Sequence, residues 1–131
     1  MFHRAAAAEH VLGREYQACG HVDTKYPNGY TYCVNTFLRT AEFDAWLRGL
    51  RDPIGKARII ARIRGAEGGN FGDCAPVGSG ISEMRVHIGP GYRVYFCRRG
   101  EIVYLLLCGG AKSSQQKDIA LAKILLAGLE E

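Results

Sequence analysis

Three short strand-like runs follow one another in the second half of this chain, with a tight turn between each pair. Ile81–Ile88, Tyr92–Cys97 and Ile102–Cys108 are separated by Gly89-Pro90-Gly91 and Arg99-Gly100, and a further turn lies at Gly78–Gly80. Connections this short join antiparallel neighbours, because a parallel pair needs a crossover of a dozen or more residues. The segment therefore reads as a meander. In its first strand Met84, Val86 and Ile88 fall on one face and Glu83, Arg85 and His87 on the other. In its second, Tyr92, Val94 and Phe96 oppose Arg93, Tyr95 and Cys97. Ile102–Cys108 is apolar throughout, the pattern of a strand covered on both faces.

The first half is mainly helical. Tyr32–Leu38 has the Tyr, Val, Thr and Phe content of a strand. Thr40 is placed to cap a helix whose Phe43, Trp46, Leu47 and Leu50 share one face. Asp52-Pro53 starts a second helix, with a capping acid followed by proline at the first helical position. That helix runs to about Arg64, with Ile59, Ile60 and Ile63 inward and Lys56, Arg58, Arg62 and Arg64 largely outward, and Gly65–Gly72 ends it. After the third meander strand, Ser113 or Ser114 can cap a last helix, with Gln116 completing a capping box after Ser113. Ile119, Ala122, Leu126 and Leu129 give that helix an inward stripe. The order β-α-α-β-β-β-α, with room for a short strand at Cys74–Val77, predicts an α+β domain. It combines a small antiparallel sheet, an N-terminal helical hairpin and a C-terminal helix.

A chain of 131 residues is one domain in size, and a hydrophobic fraction of 47% can fill its core. Residues 1–31 show no sustained periodicity and read as an extension preceding a domain over 32–131. The net charge of +4 resides wholly in residues 32–131, which hold 14 cations against 10 anions. That bias is compatible with a polyanionic partner. No apolar run approaches the roughly 18 residues of a membrane span, and Ala5–Ala8 is flanked by Arg4, Glu9 and His10, unlike a signal peptide. Five cysteines without a C-x-x-C pair read as reduced thiols in a cytoplasmic protein. No Cys/His cluster has ligand spacing, so a zinc site is not expected; an organic cofactor is not expected either.

The chemistry concentrates on the polar face of the first hairpin. Closed symmetrically about Pro90, it pairs His87 with Arg93, Arg85 with Tyr95 and Glu83 with Cys97. Arg85, His87, Arg93 and Tyr95 then share one face, because opposed residues do. Two arginines, a histidine and a phenol on one small patch suggest an anion to neutralise. Arginine forks suit the crowded phosphorus of a self-cleaving RNA linkage, and Tyr95 or His87 can position or relay a proton. Lys112, just past the third strand, can reach the same patch. The plain alternative for Arg93 is an ion pair with Glu83 or Glu101. For Lys112-Ser113-Ser114-Gln115 it is a helix start, and for His87 and Tyr95 ordinary strand positions.

Gly91-Tyr92-Arg93, Glu83-Met84-Arg85 and Gly109-Gly110-Ala111-Lys112-Ser113-Ser114-Gln115 together carry a family likeness. From Tyr32 to its C-terminus the chain resembles the phage-derived addiction module killer proteins of the RelE/ParE toxin superfamily, often labelled HigB-like. The resemblance implies a RelE-like fold whose sheet offers a concave RNA-binding face. It implies a type II toxin that cleaves messenger RNA on the translating ribosome as a metal-independent endoribonuclease. The implied partners are the ribosome, mRNA and a helix-turn-helix antitoxin, with operator DNA met only through the antitoxin. Catalysis would rest on Arg93, which matches the arginine at the scissile phosphate, with Arg85, Tyr95 and Lys112. RNA would be bound by His87, Tyr92, Arg58, Arg62, Ser113 and Gln115. The chain departs from the pattern at Ala75, where many relatives have lysine, and at Ala111, where many have aspartate. The tyrosine some relatives carry on the last helix has no counterpart after Tyr104. The alternatives are a ParE-like gyrase inhibitor and a non-catalytic module that binds antitoxin and DNA.

Overall fold

The computed structural model describes residues 34–129. The extension expected over residues 1–31 lies outside them, as do Tyr32 and Cys33 of the expected first strand. Strand β1 (Thr36–Arg39) leads into helices α1 (Ala41–Gly49) and α2 (Pro53–Glu67). Four strands follow: β2 (Cys74–Gly78), β3 (Ile81–Val86), β4 (Tyr92–Arg98) and β5 (Val103–Ala111). A 3-10 turn over Lys112–Ser114 then opens α3 (Gln115–Leu129). The short strand at residue 74 forms, so four strands rather than three separate the helical hairpin from the last helix.

The two helix starts obey their local signals. Thr40 Oγ1 accepts the Phe43 N–H at 3.0 Å and donates to the Leu107 carbonyl at 2.7 Å. One hydroxyl thus caps α1 and ties it to the sheet. Thr40→Ala is expected to cost about 1–2 kcal/mol in chemical denaturation, from a lost cap and a stranded buried carbonyl. Asp52 Oδ1 accepts the Gly55 N–H at 3.0 Å, with Pro53 in the first turn of α2. That helix runs one turn past Arg64. Its last carbonyls find donors in the chain before β1: Asn35 Nδ2 binds Ala66 O at 2.9 Å, and the Val34 and Asn35 amides bind Glu67 O. This external capping carries the helix through Gly65.

The sheet order is β1-β5-β4-β3-β2. The β2–β3, β3–β4 and β4–β5 pairs are antiparallel, but β1 pairs with β5 in parallel, Thr36 opposite Val103 and Arg39 opposite Leu106. The sheet is therefore mixed rather than wholly antiparallel. The helical hairpin supplies the long crossover that a parallel pair requires. At the opposite edge, β2 carries Pro76 and a bulge between Pro76 and Gly78.

The β3–β4 register differs from the symmetric closure. Val86 faces Tyr92, Arg85 faces Arg93, Met84 faces Val94 and Glu83 faces Tyr95. The turn holds five residues, closed by the Gly91 amide on Ile88 O at 2.9 Å, with Gly89 and Gly91 at positive φ. The slip is an even number, so each side chain keeps its expected face.

Helices cover the sheet from both sides. On one side Phe43, Leu47, Ile59, Ile63 and Ala66 pack onto Phe37, Met84, Val86, Tyr92, Val94, Phe96 and Leu106. On the other, Ala122 with Ile119, Leu125, Leu126 and Leu129 packs onto Ile81, Tyr95, Cys97, Leu105, Leu107 and Cys108. Leu105–Cys108 of β5 are buried without a break, as expected of a doubly covered strand, while Ile102 is exposed outside it. The face expected to form an open RNA surface is thus largely covered by α3. The less covered end bears Arg85, whose side chain is 35% exposed, beside Arg93, which is 13% exposed. Among the described residues no helix is long and apolar enough to cross a membrane.

Candidate functional site

Arg85 and Arg93 stand directly opposite each other on β3 and β4. Like charges at that spacing repel. Glu83, 1% exposed, resolves the conflict. Its Oε2 accepts from Arg85 Nε at 3.1 Å and from Arg93 Nη1 at 2.5 Å. Gln115 Nε2, from the first turn of α3, donates to Oε1 and Oε2 at 3.1 and 3.3 Å. A buried carboxylate is tolerated only when paired and hydrogen-bonded, and here three side chains on β3, β4 and α3 do both. Glu83 was the plain alternative partner for Arg93 in the sequence. It serves both arginines, and its place on their face of β3 was the signal.

The network continues outward. Arg85 Nη1 lies 3.5 Å from Asp73 Oδ1, and Asp73 Oδ2 lies 2.6 Å from His87 Nε2. The His87 hydrogen bond holds the Asp73 carboxyl below the usual aspartate range; burial opposes it, and the Arg85 charge adds a smaller push in the same direction as the hydrogen bond. Nothing in the sequence pattern marked Asp73, which is twelve residues from Arg85 and outside the strands. His87 does not face Arg93 across the ladder as expected; it lies just past β3, 71% exposed at its side chain.

Several expected RNA contacts have other roles. Arg62 points into the protein: Nη1 donates to Arg85 O, and Nη2 to Phe71 O at 2.9 Å and Asp73 O at 3.3 Å. A guanidinium has enough donors to staple a loop to a strand, and Arg62 so fixes residues 71–73 against β3. Tyr92 lies on the helix-covered face, as its alternation with Val94 and Phe96 requires. Its hydroxyl donates to Asp52 Oδ2 at 2.6 Å and its ring meets Trp46 edge-on, so it cannot stack on a base at the arginine face. Tyr95 is on the arginine side but fully buried beneath α3. Among the described residues no group bonds its hydroxyl, and desolvation, then the nearby Glu83 charge, push its pKa well up. Tyr95 is thereby removed from proton transfer. Tyr95→Phe is expected to fold and to leave any RNA cleavage unchanged; a large rate loss in the folded variant would return Tyr95 to the site.

Lys112 is exposed, its amide bonded to Gly91 O at 2.7 Å and its stem against Gly91. It thus lies beside the hairpin turn, two positions beyond Gly110, the β5 partner of Arg93. Ser113 is exposed next to it, and Arg58 is exposed on α2, outside the arginine network. Near the start of α3, Ser114 Oγ donates to Asp118 Oδ2 at 2.5 Å, with Ala111 O 3.2 Å away; both partners are acceptors, so Ser114 does not cap a helix N–H as expected. Ala75 faces Glu83 across β2–β3 and so lies on the same sheet face as this network. Burial pushes the Cys108 thiol up to about 12 and Cys74 upward as well, so neither is a poised nucleophile.

The two glycines of β5 now have a physical reason. A Cβ on Gly109 would come within 2.4–2.7 Å of the Trp46 ring, and one on Gly110 within 1.8 Å of the Asp118 carboxylate. Consecutive strand residues face opposite ways, so α1 presses on one side of β5 and α3 on the other.

No family model and no solved structure matches the chain. An uncharacterized protein of Haemophilus influenzae (strain Rd) is 49% identical to it over 86 residues, covering 66% of this chain and 87% of that protein.

Proposed function

Since the chain belongs to the same family as that Haemophilus influenzae protein, its chemistry has to be argued from its own site, and we propose that it is the toxin of a type II toxin–antitoxin pair, a ribosome-dependent endoribonuclease that cleaves mRNA. The observation that supports this most is the opposed Arg85–Arg93 pair gathered on one buried carboxylate. Adjacent guanidiniums with fixed bases present N–H groups suited to paired bonds with the oxygens of one phosphodiester. Their positive charge meets the negative charge that builds on those oxygens as a neighbouring 2′-hydroxyl attacks. Lys112, on the turn beside the hairpin, adds a third cation that can follow the RNA backbone. A helix-turn-helix antitoxin covering this face would silence it.

The test is a translation reaction with defined mRNA, its cleavage ends mapped and chemically typed. Cleavage is expected on ribosomes, to survive EDTA once ribosome integrity is controlled for, and to leave a 2′,3′-cyclic phosphate. Arginine and lysine would then supply the charge that a metal supplies elsewhere. A 5′-phosphate with a free 3′-hydroxyl would sink the assignment of Arg85, Arg93 and Lys112. A second reading, a module that binds its partner without cleaving, draws on the burial of Tyr95 and on the carboxylate already paired with both arginines. A gyrase supercoiling assay run beside the cleavage assay addresses the remaining alternative, a ParE-like gyrase inhibitor.

A further inference from the structure

With Tyr92 on the opposite face of the sheet and Tyr95 buried beneath α3, the cleavage proposed above lacks a proton acceptor, and we propose that His87, oriented by Asp73, is its general base. This rests on the ribonuclease reading and adds a catalytic residue to it.

The geometry is that of an imidazole held by a carboxylate. His87 Nε2 lies 2.6 Å from Asp73 Oδ2. With the Nε2 proton directed to Asp73, the lone pair sits on Nδ1, on a side chain 71% exposed. Asp73 is itself immobilised. Its backbone carbonyl accepts from the Arg85 amide at 2.9 Å and from Arg62 Nη2 at 3.3 Å, and its other carboxylate oxygen faces Arg85 Nη1. The same guanidinium that orients the acid also belongs to the phosphate-binding pair. Histidine, aspartate and arginines are therefore linked through one continuous chain of contacts from His87 to Arg93. A surface histidine that only solvates a turn needs no such support. The charged group bonded to it is Asp73 from the 71–73 loop; Arg85 of β3 and Arg62 of α2 contact Asp73 in turn, and Glu83 of β3 lies behind Arg85.

In the step this geometry serves, the 2′-hydroxyl gives its proton to His87 Nδ1 as the O2′–P bond forms. The P–O5′ bond breaks, and the departing 5′-oxygen takes a proton from water. The imidazolium returns its proton to the hydroxide so formed, leaving a 2′,3′-cyclic phosphate. Arg85 and Arg93 hold the non-bridging oxygens throughout.

The test is single-turnover cleavage of ribosome-bound mRNA from about pH 5 to about pH 9, a range that spans histidine titration. Wild type, His87→Gln, Asp73→Asn and Arg93→Ala are compared, each shown to be folded and to bind ribosomes. The wild-type rate is expected to rise with pH along a limb that His87→Gln abolishes, with a rate loss on the order of 100-fold. Imidazole is expected to restore part of the rate to His87→Gly. Asp73→Asn is expected to keep the limb at a lower rate. An unchanged limb in His87→Gln, or wild-type behaviour of Asp73→Asn, overturns the dyad while Arg93→Ala still reports on the nuclease. No cleavage by the wild type on intact ribosomes overturns the ribonuclease reading itself.

Discussion

Arg93→Ala is expected to abolish growth arrest on expression and to slow RNA cleavage by roughly 100-fold or more, the usual cost of losing one oriented charge at the reacting centre. The fold should persist. Glu83 keeps Arg85 and Gln115 as partners when Arg93 is gone, so the stability loss should stay near the 1–3 kcal/mol typical of one charge-assisted bond. Arg93→Lys separates charge from geometry. It retains the cation but cannot grip Glu83 and a phosphate at once in a fixed fork, so it too should be strongly impaired. A variant that is folded by circular dichroism and still fully toxic would show that the site lies elsewhere.

Gly109→Ala is expected to be strongly destabilising, though no residue of the arginine network is touched. The new Cβ would need to share space with three atoms of the Trp46 ring at 2.4–2.7 Å, well inside contact distance. That ring is held between Phe43 and Tyr92, so it has little freedom to retreat. Overpacking of this kind costs roughly 1–3 kcal/mol, a drop in melting temperature on the order of 5–15 °C in a domain this small. Trp46 is the single tryptophan of the chain, so its fluorescence reads the displacement directly. Wild-type melting together with an unshifted emission spectrum would refute the packing argument.

What the sequence made legible was whatever depends on neighbours along the chain. The Thr40 cap, the Asp52-Pro53 helix start and the two-faced strands follow from residues within four positions of one another, and each forms as read. What it left hidden depends on distant partners. The extra turn of α2 is held by Asn35, thirty-one residues from the carbonyl it binds. The parallel placement of β1 depends on where the helical hairpin delivers the chain, which no local pattern encodes. The slip between β3 and β4 comes from a five-residue turn where symmetry about Pro90 assumed a three-residue one. The burial of Tyr95 has a similar origin. Strand alternation fixes which face a side chain occupies, but not whether a helix lies over that face. For the site, the arginines were readable as a shared face. The buried role of Glu83, the inward turn of Arg62 and the arrival of Asp73 were not, because all three require the 71–73 loop and α3 to be in place.

The bulged, proline-bearing strand β2 bears on how any partner can attach. An open sheet border normally offers a row of unpaired backbone groups on which a foreign strand can grow. Here Pro76 has no N–H to offer, and the bulge before Gly78 throws the ladder out of step after three regular pairs. At the other border, β1 is only four residues long. Neither margin is a good template for strand addition. This disfavours edge-to-edge self-association and leaves recognition to side chains on the faces, where the charged cluster sits at the less covered end of the α3 side.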